Sequence, residues 1–298
     1  MSESTPHVVE PVDPEIVSIL EETCKSYQSF LRAFVKWLAE KRAEGSLQSW
    51  EGPGVVGWWL TYLLLLSYDV AFVTVAILRE GIDRQLLVMK RQALEYVVRA
   101  LYLVRHPEKA QQQYDALPLK LRTYFEKMDP AESGEAYAAA LEMAERAASA
   151  LPPGAGPTYG ETSMFDMLVD LYPDDYRAIY AREYWWPSAI MHGQQVGMLD
   201  ALLRYGDGKV WMSHNSMTST RTGNVVNITQ SVLQVLLLTG DTFQLRGTHW
   251  VALVERFNSF VRRSSPDSKI FDLPLDGNAL RAAAAYKPTS QDGTSRAT

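Results

Sequence analysis

Residues 172–205 read YPDDYRAIYAREYWWPSAIMHGQQVGMLDALLRY. Within them Tyr176, Tyr180, Tyr184, Ser188 and His192 recur every four residues. Side chains four apart lie on successive turns of one helix face. Pro187 has no backbone N–H and disfavours a helical residue before it. The stretch therefore predicts one helix ending near Trp186. A second opens with Pro187 at its first position, where proline is tolerated. Gly206, after Tyr205, is the expected C-terminal stop. Period-four patterning of this kind fixes the fold class expected here: an all-α bundle of about eight to ten helices.

Moving outward, residues 84–105 predict another amphipathic helix. At 100° per residue, Arg84, Arg91, Glu95, Arg99 and Tyr102 form one stripe. Leu86, Met89, Ala93, Val97, Ala100 and Val104 form the opposite face, and Leu87, Leu94, Val98 and Leu101 border the stripe. Two readings follow. In one the stripe faces solvent, and its i,i+4 pairs contribute a few tenths of a kcal/mol each. In the other it faces a second helix, where its charges must be paired or functional.

Residues 55–79, VVGWWLTYLLLLSYDVAFVTVAILR, are the most apolar stretch and long enough to span a bilayer. Asp69 lies near its middle, at a cost of roughly 3 kcal/mol in hydrocarbon, and no cluster of Lys or Arg flanks it. A helix at the centre of a large bundle has the same composition. The buried helix is the expectation, and a membrane partner is not favoured.

The remaining pattern is also helical. Helices are expected over 14–44, 107–128 with an irregularity near Pro118, 131–150, 164–171, 224–238 and 250–263. Asp83 is a candidate N-cap. PPGAGPTYG, residues 152–160, is the clearest loop, and a small hairpin is expected around 210–213. The domain expected is 14–264, with its motif-bearing part at 55–205. Residues 1–13 read as disordered and 265–298 as a loosely attached tail.

The chain has 298 residues, a net charge of −6 and 47% hydrophobic residues. That allows a large core and gives no broad basic surface for nucleic acid. Cys24 is the only cysteine, which excludes an intrachain disulfide and a multi-cysteine zinc site. The acidic, polar start MSESTPHVVEPVDPE lacks the order of a signal peptide, so a cytoplasmic location is expected. Phosphate-binding, dinucleotide-binding, nucleophile-elbow and zinc-protease motifs are missing. His106, His192, His214 and His249 have no ligand spacing on one element, so neither metal nor cofactor is expected.

What remains is Arg91-x-x-x-Glu95 on one helix and Ser188-x-x-x-His192-Gly193 on another. With Arg91-Gln92-Ala93-Leu94-Glu95, Tyr176 and Tyr180, these residues resemble a bacterial domain-of-unknown-function family of helical proteins. The resemblance covers about residues 55–205. It implies a helical bundle in which these polar residues meet. A looser likeness is to the HEPN superfamily of helical RNases and defence toxins, whose motif is Arg, four to six residues, then His. Here Trp185, Trp186 and Pro187 precede His192, and Arg182 is too distant. That likeness would make His192 a general acid or base and Arg91 the stabiliser of developing charge. The site expected is Arg91, Glu95 and His192 for chemistry, with Tyr176, Tyr180, Tyr184, Ser188 and Arg99 for binding. His192 has a plainer alternative, as a buried imidazole bonded to Glu95 or a tyrosine.

Three functions fit. The first is a helical binding or interaction module, of the kind that serves as accessory protein in a bacterial defence or stress system. The second is a metal-independent nuclease. The third is a membrane-attached protein using 55–79. Partners left open are RNA, another protein and a second copy of the chain.

Overall fold

A computed structural model describes residues 11–44, 54–80, 83–125, 127, 130–191, 205–206, 209–210, 221–245 and 248–264. The fold is the expected all-α bundle. Its N-terminal helices are α1 (Pro14–Ala43), α2 (Gly54–Glu80) and α3 (Asp83–Arg105). Four shorter-spaced helices follow: α4 (Pro107–Asp115), α5 (Leu117–Phe125), α6 (Pro130–Ser149) and α7 (Met164–Leu171). Next comes an irregular run of α8 (Tyr176–Ile179), a π-helical segment (Tyr180–Trp185) and α9 (Trp186–Met191). Helices α10 (Arg221–Thr242) and α11 (Thr248–Ser264) complete it.

Helix α10 is the axis of the bundle. It packs against α1, α2 and α3, and α11 packs on α1. Val225, Val226, Ile228, Val232, Leu233, Val235, Leu237 and Leu238 are all buried, and together they lie around most of the helix. Each such side chain contributes about 1.5–3 kcal/mol on leaving water. Its buried threonines are satisfied locally. Thr229 Oγ1 donates to Val225 O at 2.7 Å and Thr239 Oγ1 to Val235 O at 2.8 Å. Tyr27 of α1 donates its phenol to Val232 O at 2.7 Å, so a buried donor finds a buried acceptor. Gly240 lets α11 approach: a Cβ there would lie 2.2 Å from Cζ3 of Trp250.

Several expectations change. Residues 11–13 are placed as part of the fold: Asp13 accepts from the Glu15 N–H at 2.8 Å and caps α1, while its own N–H donates to Thr222 Oγ1 at 3.2 Å. The expected helix over 107–128 divides at Ala116 into α4 and α5. Pro187 does not separate two helices. The turns before it widen into π geometry, and α9 begins at Trp186. A π segment removes the tight i−4 carbonyl that the proline ring would strike. The hairpin pairs Tyr205 with Val210 and Gly206 with Lys209, ahead of the 210–213 expected. Helix α2 is only partly buried. Leu60, Leu63, Leu64 and Ala71 face the core, whereas Trp58, Tyr62, Leu65, Phe72 and Val73 face outward with Asp69 among them. His192, His214, residues 1–10 and residues 265–298 lie outside the described residues.

Candidate functional site

The polar stripe of α3 faces the π segment and α9 on one side and an open cleft on the other. Arg91 Nε donates to Ser188 Oγ at 2.5 Å, and Nη2 donates to the Tyr184 hydroxyl at 3.0 Å. The guanidinium also lies 4.6 Å from the centre of the Tyr184 ring. Glu95 Oε2 is 3.5 Å from Arg91 Nη2, and Oε1 accepts from Arg99 Nε at 3.2 Å and Nη2 at 3.1 Å. With Arg91 and Glu95 side chains 15% and 20% exposed, the stripe is packed rather than solvated. Arg91, Glu95, Arg99, Tyr184 and Ser188 therefore come together. Ser188 bonds Arg91, and Glu95 serves both arginines, as the i,i+4 spacing of the stripe allows. His192 is the member outside the described residues.

Tyr176, Tyr180 and Tyr184 do form a face, with Phe165 of α7 completing it. Phe165 meets Tyr176 and Tyr180 edge-on at 5.4 and 5.2 Å, and Tyr180 lies 5.5 Å from Tyr184. Only Tyr184 reaches the arginine stripe. Tyr176 instead accepts from Arg177 Nε at 2.9 Å.

A second network, unforeseen in sequence, lies directly beside the first. Lys90 is buried, and its Nζ is 2.5 Å from Glu183 Oε2 and 3.3 Å from Asn224 Oδ1. Asn227 Nδ2 donates to the same Glu183 oxygen at 3.5 Å. Successive residues Lys90 and Arg91 on α3 thus grip successive residues Glu183 and Tyr184 of the π segment. The available signal was local. Leu86, Leu87, Ala93 and Leu94 surround Lys90 at i±3 and i±4, and a cation on an apolar face must be paired.

A third cluster anchors α7 to α3. Arg105 Nη1 donates to Asp170 O at 2.5 Å and is 3.1 Å from its Oδ2. His106 Nε2 is 2.9 Å from the same carboxylate, and Nδ1 is 3.2 Å from Glu108 Oε1. Burial alone would raise the Asp170 pKa, but the bonds from His106 and Arg105 outweigh it and hold the carboxyl below its ordinary value.

The cleft lies between α2, α3, α4 and α5 and encloses about 510 Å³. Trp58, Tyr62, Glu95, Tyr96, Arg99 and Lys120 are among the residues lining it. Trp58 and Tyr62 are near-parallel, 6.4 Å apart, and Trp59 meets Trp58 edge-on at 4.9 Å. Trp59 Nε1 donates to Ala110 O at 3.1 Å, which fixes the base of the aromatic group. Lys120 bonds Glu161 across the rim. Gln113 Nε2 donates to Gly160 O at 3.0 Å and pins the loop that carries Glu161. Burial, then the charge of Glu95, the Tyr62 phenol and the charge of Asp69, outweigh Arg91 and raise the Tyr96 pKa above its ordinary value.

Among the described residues no three His, Cys, Asp or Glu side chains gather as a metal site. Ser188 has no carboxylate or imidazole partner there that could activate it, and its recorded bond is to Arg91. The geometry supports binding through aromatic faces and charge-assisted hydrogen bonds. No family model matches the chain, and neither does any curated protein or solved structure.

Proposed function

We propose that this chain is a helical binding module, working in the cytoplasm, that holds a small ligand in the cleft beside the Arg91–Glu95–Arg99 stripe. One observation carries the reading: Trp58 and Tyr62 stand 39% and 47% exposed at a concave surface that also presents Arg99 and Lys120. Large aromatics at a concave site with few, placed polar groups are the usual composition of a ligand pocket. Arg91 acts as a support for that wall, because its guanidinium is already engaged by Ser188, Tyr184 and Glu95. A role as accessory protein in a bacterial defence or stress system accords with this reading.

The test is a ligand-observed NMR screen of a general fragment set against wild type and Trp58→Ala. The expected result is a set of fragments whose binding disappears in the variant. If no fragment binds in a Trp58-dependent way, the reading fails.

Membrane attachment through α2 is the second reading. It draws on the length and apolarity of Gly54–Glu80 and on its outward Leu65, Phe72 and Val73. Asp69, exposed on the same helix, opposes it. Recovery of the protein only from the membrane fraction would favour this second reading over the first.

A further inference from the structure

The cleft has more to give as a hydrogen-bond donor than as an acceptor. Arg99 directs Nε and Nη2 to a single oxygen of Glu95, and its Nη1 has no partner among the described residues. Lys120 spends one bond on Glu161, which leaves two of its ammonium hydrogens for a ligand. The Tyr96 hydroxyl adds a further donor without a partner among the described residues. On the acceptor side, Glu95 is consumed: one oxygen takes both bonds from Arg99 and the other faces Arg91. Two arginines share that single carboxylate, so Arg91, Glu95 and Arg99 together carry one net positive charge. Against this wall stand the flat faces of Trp58 and Tyr62.

Resting on the binding-module reading, we infer that the cleft takes a flat aromatic anion of the aryl carboxylate class. Its ring would lie against Trp58 and Tyr62, and its carboxylate would meet the outer edge of Arg99 and the Lys120 ammonium. A planar guanidinium edge matches a carboxylate in two parallel bonds, and such charge-assisted bonds are about twice as strong as neutral ones. An ammonium ligand has the opposite requirement. It would face Arg99 and Lys120, and of the two lining carboxylates Glu95 is taken by the arginines while Glu161 keeps one oxygen beyond its bond to Lys120.

Isothermal titration with four probes tests this: 2-naphthoate, 2-naphthamide, 2-naphthylmethylammonium and cyclohexanecarboxylate. Naphthoate should bind at least about tenfold more tightly than the isosteric amide, the ratio expected for one charge-assisted contact. Arg99→Gln should cut that preference severalfold, since only the Lys120 contact remains, and Arg99→Lys should keep more of it than Arg99→Gln. Trp58→Ala should weaken both naphthyl compounds, and cyclohexanecarboxylate should bind more weakly than naphthoate. Circular dichroism melts check that each variant is folded. Equal or tighter binding of the amide or the ammonium overturns the inference, although the binding-module reading then stands. A naphthoate affinity indifferent to both arginine variants overturns it as well. So does the absence of any naphthoate binding at millimolar concentration, and the fragment screen then decides the module reading by itself.

Discussion

At the scale of single residues, the buried Lys90–Glu183 pair is the most consequential contact. Removing one partner strands the other: Lys90→Met leaves Glu183 and Asn224 without the ammonium between them. Breaking a buried pair costs about 3–5 kcal/mol, and the lower end applies because Glu183 retains 25% exposure. Combining Lys90→Met with Glu183→Leu should recover at least about 1 kcal/mol relative to the sum of the single changes. Urea unfolding of the four proteins gives the coupling, and additive losses would show that the pair is not coupled. Arg91 and Ser188 offer a gentler case. Arg91→Met and Ser188→Ala should couple by about 0.5–1.5 kcal/mol, since each removes the same bond. The sequence revealed Arg91, Glu95 and Ser188 because i,i+4 spacing on two helices brought them to notice. It hid Lys90, Glu183, Asn224 and Asn227, whose meeting depends on how three separate elements pack.

Among the elements, α2 and the 152–160 loop carry the clearest expectations. Leu64 is fully buried while Leu65, its neighbour, is 44% exposed. Leu64→Ala should lower stability by about 2–5 kcal/mol, whereas Leu65→Ser should change it by less than about 0.5 kcal/mol. Thermal melts of the two variants check this, and equal losses would mean that the outer face of α2 is covered in the native protein. In the loop, Gly160 has φ +78° and sits against α4, with Cβ space filled by Gln112 Cβ at 2.5 Å and Gln113 N at 2.9 Å. Gly160→Ala should cost at least about 1–2 kcal/mol from the backbone alone. It should also release the Gln113 bond and weaken naphthoate binding, and a variant with unchanged melting and affinity would refute the docking. Helix positions were largely legible, because α1, α2, α6 and α7 begin and end within a residue or so of where periodicity and caps place them. The π segment was not. Sequence carries Pro187 as a break, but a neighbouring pair of inward contacts from Glu183 and Tyr184 holds the run together instead.

For the molecule as a whole, acid sensitivity follows from the α3–α7 anchor. The folded Asp170 carboxyl titrates below its unfolded value near 3.8, so the unfolded chain takes up the proton first as pH falls. The stability it contributes is therefore complete above about pH 3.8 and is lost as pH drops through the folded pKa. Asp170→Asn should destabilise the protein at pH 7, and the gap from wild type should narrow below that point. Denaturant melts across pH give the answer, and a constant gap would remove Asp170 from the acid limb. The all-α class was legible because a buried central helix and its partners share one period. Which face of residues 54–80 turns outward was not, since a helix apolar all round carries no phase. The position of α10 sets a constraint on manufacture. The first three helices find their common partner only at residues 221–242, so during synthesis the faces of α1, α2 and α3 that meet it stay uncovered until those residues have left the ribosome. Exposed apolar surface of that kind is aggregation-prone, so a chain ending before residue 221 should aggregate rather than fold into a smaller working protein.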